Sequence, residues 1–323
     1  MISKKTLIRI LFGFIGLGVL YWTISIYGVE NYVDIFIKAS PLLLLLAVIF
    51  PALEELSASF QLHEIYRSTN IKISFKDMFW INQWGSFLGD IQKGVGVLVA
   101  IDSISLKSGI SHVESTTRYS LYYATNIVIR AFATTVGLIY FMNILPSDYK
   151  SLSIIVIIIF SILSVGLVAT VFGSKSIKLL ITSTLGKVPL IGIVINNMVK
   201  IEVHETKLVI FKLFILGLFN WTFASLQWYV ISYAIGYPLD YWFCMSAISI
   251  LSLPKLIPFI PSALGVYDVV IMAGLGTVSV PAFAGLSFAM IERITDIVSN
   301  SIAVLKPEYL RFFNDIEKVK IDV

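Results

Sequence analysis

Charged side chains stand inside stretches of this chain that are otherwise apolar, and a charge inside a membrane span is costly enough to indicate a functional site. The sharpest group is formed by Asp268 and by three residues of a later run, Glu292, Arg293 and Asp296. Arg293 and Asp296 are three residues apart and share one helix face, whereas Glu292 is expected to point elsewhere. Arginine in such a place suits a phosphate or a carboxylate, and the acids would shape the rest of an anion site.

Asp268 follows a break in the apolar pattern, the stretch PFIPSALGVYD, which holds two prolines and Gly265. A helix that starts after this break has free backbone N–H groups, and these attract an anion. Asp268 would either cap the helix predicted over Val269 to Gly276 or line a cavity, and the two roles are compatible.

Three further charges lie in other apolar runs. Glu54 and Glu55 fall within the predicted span Pro41 to Leu62, and Arg130 falls within the predicted span Tyr119 to Met142. Either Arg130 pairs with one of these acids and holds the helices together, or all three line the same cavity as Arg293.

The elements that must position these residues are membrane helices. The chain of 323 residues is 57% hydrophobic and 14% charged, whereas a soluble domain carries about 25% charged residues. We therefore predict an all-α, polytopic membrane protein, a single integral membrane domain over residues 1–323, with about six full spans of about 20 residues each. The predicted spans are Leu7–Tyr27, Pro41–Leu62, Tyr119–Met142, Leu152–Val171, Val209–Ile235 and Pro281–Leu305.

Two regions do not have the pattern of a simple span. Asp77 to Leu106 holds four glycines and, after Asp77 itself, the three charged residues Asp90, Lys93 and Asp102. Trp242 to Val280 holds three prolines, three glycines and two charges. Irregular backbone at membrane depth is tolerated only where it is buried in protein or faces a wet cavity. Both regions are predicted to be re-entrant hairpins or pairs of broken helices.

Loop charge predicts the topology. Lysine and arginine concentrate before the first span, after the second, in the central segment and in the C-terminal tail, so the positive-inside rule places both termini in the cytoplasm. If both broken regions return to the side they entered, residues 1–174 and 208–323 form two halves of opposite orientation, joined by a cytoplasmic amphipathic segment at 175–207. Inverted repeats with broken helices are a transporter pattern.

Several function classes are disfavoured. The chain has one cysteine, Cys244, and three isolated histidines, so we expect no metal site and no cofactor. No nucleotide-binding glycine loop and no nucleophile-elbow serine is present. We attribute the net charge of +4 to cytoplasmic loops rather than to nucleic-acid binding. The expected partners are membrane lipids.

The late motif carries a resemblance to a known family. The flippase-like domain family carries a proline–glycine–glycine–x–glycine motif that ends in an acid. Pro261, Gly265 and the acid at Asp268 match it, whereas Ser262 and Ala263 replace two of its glycines. Arg293 in MIERITDIV matches the later arginine helix of the family. This family is the transmembrane region of lysylphosphatidylglycerol synthases and of stand-alone relatives. In the first half, Gly96 and Arg130 fit the corresponding motif, while Val97 stands where its acid would be, with Asp90 or Asp102 as substitutes.

The resemblance spans about Leu7 to Leu305 and implies a cell-membrane flippase or scramblase-like transporter of an anionic or polyprenol-linked lipid. It implies substrate contacts at the matching residues Arg130, Pro261, Gly265, Asp268, Arg293 and Gly96. Two alternatives stay open. The chain is a scaffold for a separate glycosyltransferase or synthase subunit, or it is itself a lipid-modifying enzyme with Glu292 or Asp296 as general acid or base.

Overall fold

The computed structural model describes residues 24–142, 207–252 and 265–306, with isolated positions from 18 to 22 and from 150 to 183. The regular elements of these residues are all helical, as the composition predicts, and no strand occurs among them. In chain order they are α1 (Val29–Lys38), α2 (Pro41–Ser68), α3 (Phe75–Ile91), α4 (Lys93–Ser108), α5 (His112–Phe141), α6 (Lys207–Ala234), α7 (Tyr241–Leu251), α8 (Val266–Gly276), α9 (Ala282–Asn300) and a 3-10 turn (Ser301–Leu305).

Two of these helices are long and apolar enough to cross a membrane, namely α2 and the part of α6 from Phe211 to Ala234. Both were predicted as spans. Large apolar side chains of α2, Leu42 and Leu45 among them, are exposed on the protein surface, which suits contact with lipid tails.

The other predicted spans have different outcomes. Tyr119–Met142 lies within the 30-residue α5, and Pro281–Leu305 is α9 with its 3-10 extension. At about 1.5 Å per residue both are long enough to span, although α9 carries three charges. Leu7–Tyr27, Leu152–Val171 and the segment 175–207 lie mostly outside the described residues, and the inverted repeat stays a prediction.

The first broken region is a helical hairpin. Helices α3 and α4 are 17 and 16 residues long and are separated by Gln92 alone, and each is shorter than the ~30 Å hydrocarbon core at ~1.5 Å per residue. The two helices cross at glycines. A Cβ placed on Gly96 would lie 2.6 Å from the backbone N of Gly89, so the helices approach more closely there than any other residue permits.

The second broken region contains two helices of 11 residues each, α7 and α8. Helix α7 begins where the Asp240 carboxylate accepts hydrogen bonds from the backbone N–H groups of Trp242 (2.8 Å) and Phe243 (3.2 Å). The segment 253–264 between them, which includes Pro261, lies outside the described residues. Both helices are too short to cross a bilayer alone, as a broken region requires.

The chain divides into two compact units. The first unit comprises Met1–Glu55, Trp80–Ala100 and Phe223–Val323, and the second comprises Leu56–Phe79 and Ile101–Thr222. Within the first unit, α9 packs against α8 and α1, and α7 packs against α8. Small residues permit this packing, since a Cβ on Gly285 of α9 would lie 2.9 Å from the Cα of Met272 on α8.

Candidate functional site

The start of α8 is built by a glycine and a carboxylate. Gly265 has a φ of 81°, a conformation that a residue with a Cβ adopts only at a cost, and its N–H donates to Oδ2 of Asp268 at 2.8 Å. The helix therefore begins at Val266, and the predicted start at Val269 is wrong because the turn at Gly265 lets Asp268 cap the helix from inside its first turn. The capping role predicted for Asp268 is observed.

Asp268 also pairs with Arg293 of α9. Nη1 of Arg293 lies 3.0 Å from Oδ1 of Asp268 and donates to Oδ2 at 3.2 Å. The guanidinium lies over the ring of Tyr267, with 5.3 Å between Cζ and the ring centroid. The side chains of Arg293 and Asp268 are 14% and 2% exposed, so the pair is held inside the protein.

The other edge of the Arg293 guanidinium, called the open edge here, has no hydrogen-bond partner among the described residues. Nε and Nη2 are buried and make no hydrogen bond to the part of the chain that the structure describes. These two donors point the same way and match the spacing of two oxygens of one phosphate or carboxylate. A buried donor without a partner is costly, so this edge has the properties of a binding group that awaits an anion.

Glu292 accepts hydrogen bonds from two buried aromatic residues. Trp228 Nε1 of α6 donates to Oε1 at 3.0 Å, and the Tyr267 hydroxyl donates to Oε2 in a short hydrogen bond. Trp228 also packs edge-to-face on Phe288, with centroids 5.1 Å apart. Glu292 was predicted to point away from the Arg293 cluster, but Tyr267 lies between the two side chains and joins them into one network.

Asp296 lies one turn further along α9. The side-chain amide of Gln227 donates to Oδ1 of Asp296 at 2.7 Å and to the hydroxyl of Thr295 at 3.0 Å. Glu292 and Asp296 are four residues apart, so both face α6. Two consecutive residues of α6 therefore donate hydrogen bonds to the two acids on this face of α9, Gln227 to Asp296 and Trp228 to Glu292.

The α3–α4 hairpin brings polar groups to Glu55. The amide of Asn82 donates to Oε2 of Glu55 at 2.5 Å, and Ser86 is a second hydrogen-bond partner. The charges of Lys93 and Asp296 act on the same carboxylate. In addition, Asn300 donates to Asp90 at 2.9 Å. Both broken regions therefore place polar side chains near or against α9.

The remaining predicted residues have other surroundings. Gly96 makes the glycine crossing of the hairpin, and Glu54 is partly buried on α2. Arg130 belongs to the second unit, where its guanidinium lies 4.5 Å from the ring centroid of Trp221. Asp102, the other proposed substitute acid, contacts His112 at 2.9 Å. Contact of these residues with substrate stays a prediction.

The comparison with known families now bears on this geometry. The family described as the lysylphosphatidylglycerol synthase TM region matches residues 7–303. The chain belongs to this family. No curated protein matches the chain. The match confirms the resemblance drawn from the two glycine motifs and the arginine helix, and it makes the chain a membrane protein.

The sequence analysis missed four residues of this site: Tyr267, Trp228, Gln227 and Asn82. Tyr267 and Trp228 carry no charge and do not stand out from an apolar segment, yet both hydrogen-bond Glu292. A signal was present, since Gln227 is an uncharged polar residue in the middle of an apolar span and needs a partner there.

Replacing Trp228 by phenylalanine is expected to destabilise the protein by about 1–2 kcal/mol, because the buried Glu292 carboxylate loses one of its donors while most of the ring volume is kept. The midpoint of SDS-induced unfolding measures this loss. Trp22→Phe is the matched control, since the Trp22 side chain is 57% exposed. Equal midpoints for the two variants would contradict the role of Trp228.

Proposed function

We propose that this membrane protein is a flippase or scramblase-like lipid transporter that moves an anionic phospholipid or a polyprenol-linked lipid across the cell membrane. The observation that carries the proposal is the open edge of Arg293. In a membrane domain the group available to two buried guanidinium donors is a phosphate or carboxylate, and the lipids of a bilayer supply phosphate diesters.

The acids around Arg293 support a headgroup site rather than a site for a simple anion. Asp268 neutralises part of the arginine charge, while Glu292 and Asp296 offer carboxylate oxygens within the same unit. A headgroup with a phosphate and with hydroxyl or ammonium donors would use both kinds of group. Moving such a headgroup through hydrocarbon requires an interior polar route, and the two broken regions would form it.

The test is lipid translocation by the purified chain in proteoliposomes. Fluorescent phosphatidylglycerol and phosphatidylcholine are placed in both leaflets, and a membrane-impermeant reductant bleaches the outer leaflet. We expect the bleached fraction of phosphatidylglycerol to rise well above that of protein-free vesicles. If no lipid moves, transport by this chain alone is contradicted. Stable co-purification with a glycosyltransferase or synthase, or a modified lipid product, would then favour the scaffold or the enzyme.

A further inference from the structure

A second candidate anion site lies in the other unit, at the end of the α2 span. A cavity of about 530 Å³ is lined by residues between His63 and Ser74, including the basic side chains of His63, Arg67 and Lys72. Both Arg67 and Lys72 are exposed at its rim. None of these residues takes part in the Arg293 network.

The cavity is built by the turn that ends α2. Asn70 has a φ of 60°, and the N–H of Ile71 donates to the Tyr66 carbonyl at 3.0 Å, which closes the helix end. Residues 71–74 then have no regular secondary structure before α3 begins at Phe75. Ile71 and Ile73 are buried, so Lys72 between them points outward. The position of Lys72 is thus fixed by the packing of its two neighbours.

Positive charge prevails around this cavity. Nη1 of Arg67 lies 3.5 Å from Oε1 of Glu64, and Nζ of Lys212 lies 3.7 Å from Oε2 of the same carboxylate. One negative charge is therefore shared between two positive charges. Lys72 has no ion-pair or hydrogen-bond partner in the described part of the chain. The cavity therefore retains net positive charge that a phosphate would neutralise.

The surroundings favour a lipid phosphate over a soluble one. Phe60 lies one turn before His63 on the same face of α2, is 42% exposed and stacks on Phe75 at 4.1 Å. His63 meets the same Phe75 ring edge-on at 5.9 Å. An aromatic surface thus leads from the cavity along a membrane span, where an acyl chain would lie.

We infer that the cavity between His63 and Ser74 binds the phosphate headgroup of an anionic phospholipid at the membrane surface, on the face that loop charge assigns to the cytoplasm. Arg67 and Lys72 contact the phosphate, and the acyl chain lies along Phe60. This site is independent of the proposed transport, because it rests on a different unit and on different residues.

The test is a lipid titration of the purified full-length protein in zwitterionic detergent, read as the fraction of protein carrying bound lipid by native mass spectrometry. The probes are phosphatidylglycerol, phosphatidylcholine and inorganic phosphate. The variants are Arg67→Gln/Lys72→Gln and, as a control, Lys76→Gln, which removes an exposed charge nearby that does not line the cavity. The titration is repeated with Arg293→Lys so that the two sites are counted separately.

We expect phosphatidylglycerol to bind more tightly than phosphatidylcholine. The double variant should weaken its binding by about 20-fold or more, since each basic residue near a membrane surface contributes about fivefold. Lys76→Gln should leave its binding close to the wild-type value, since Lys76 does not line the cavity. Unchanged phosphatidylglycerol binding in the double variant would overturn the inference. Full displacement of the lipid by millimolar inorganic phosphate would overturn the lipid assignment.

Discussion

Arg293→Ala is expected to lower the rate of phosphatidylglycerol translocation by at least about 100-fold, to the level of protein-free vesicles. The variant removes two charge-assisted hydrogen bonds to the phosphate, each worth about 1.5–3 kcal/mol. A loss of about 1.4 kcal/mol is tenfold. The outer-leaflet bleaching assay in proteoliposomes measures the rate.

The alanine variant also leaves the buried Asp268 without its cation, so loss of activity must be separated from loss of folding. Arg293→Lys keeps a positive charge for Asp268 but lacks the planar edge formed by Nε and Nη2. We expect Arg293→Lys to unfold at the wild-type midpoint in SDS and to translocate lipid about tenfold more slowly. Wild-type translocation by either variant would show that the open edge does not hold the lipid.

Gly96→Ala is expected to destabilise the protein by about 1–3 kcal/mol, and to slow transport as a consequence. The added Cβ would lie 2.6 Å and 2.7 Å from the backbone N and Cα of Gly89, and it also meets the carbonyl of Gly85. Backbone atoms cannot rotate away, so α3 and α4 must separate. Asn82 and Ser86, which hydrogen-bond Glu55, would move with α3.

The matched control for this prediction is Gly276→Ala at the end of α8. A Cβ there meets no atom within 4 Å, and the residue needs no positive φ. The two variants add the same methyl group, so a difference in their SDS unfolding midpoints reports the helix crossing alone. If Gly96→Ala is as stable as Gly276→Ala, then Gly96 is not a packing residue, and direct contact with substrate becomes the better explanation.

The sequence was sufficient to find the ionic part of the site. Asp268, Glu292, Arg293 and Asp296 stand out because charges are rare in apolar segments. The break before Asp268 also indicated that a helix starts there, although the start was predicted at Val269 rather than at Val266. Membership of the lysylphosphatidylglycerol synthase transmembrane family was also legible from the two motifs and is confirmed over residues 7–303. The helical architecture followed from the composition, and the α3–α4 hairpin from its glycines.

The sequence did not predict which side chains pair with one another, because pairing depends on how helices distant in the chain are rotated about their axes. Trp228 and Glu292 are 64 residues apart, and Asp268 and Arg293 are 25 apart. Periodicity assigns residues to a face of one helix but does not say which helix that face meets. The same limit explains why Glu292 was predicted to point away from Arg293, although Tyr267 connects them.

The start of α8 shows how one residue changes a boundary. A carboxylate before an apolar run is the usual pattern of an N-cap, and it predicts a helix beginning at the next residue. Here Gly265 adopts a positive φ and turns the chain three residues earlier, and Asp268 caps the helix by accepting the Gly265 N–H. The capping role predicted for Asp268 was right, while its position in the helix was not.

We propose that the Nε–Nη2 edge of Arg293 holds a lipid phosphate. The most direct measurement is an electron cryomicroscopy map of the wild-type protein in nanodiscs containing phosphatidylglycerol. We expect headgroup density with phosphate oxygens about 2.7–2.9 Å from both Nε and Nη2, while Nη1 stays on Asp268. A map in which protein groups occupy that edge and ordered lipid lies only on the outer surface would contradict it.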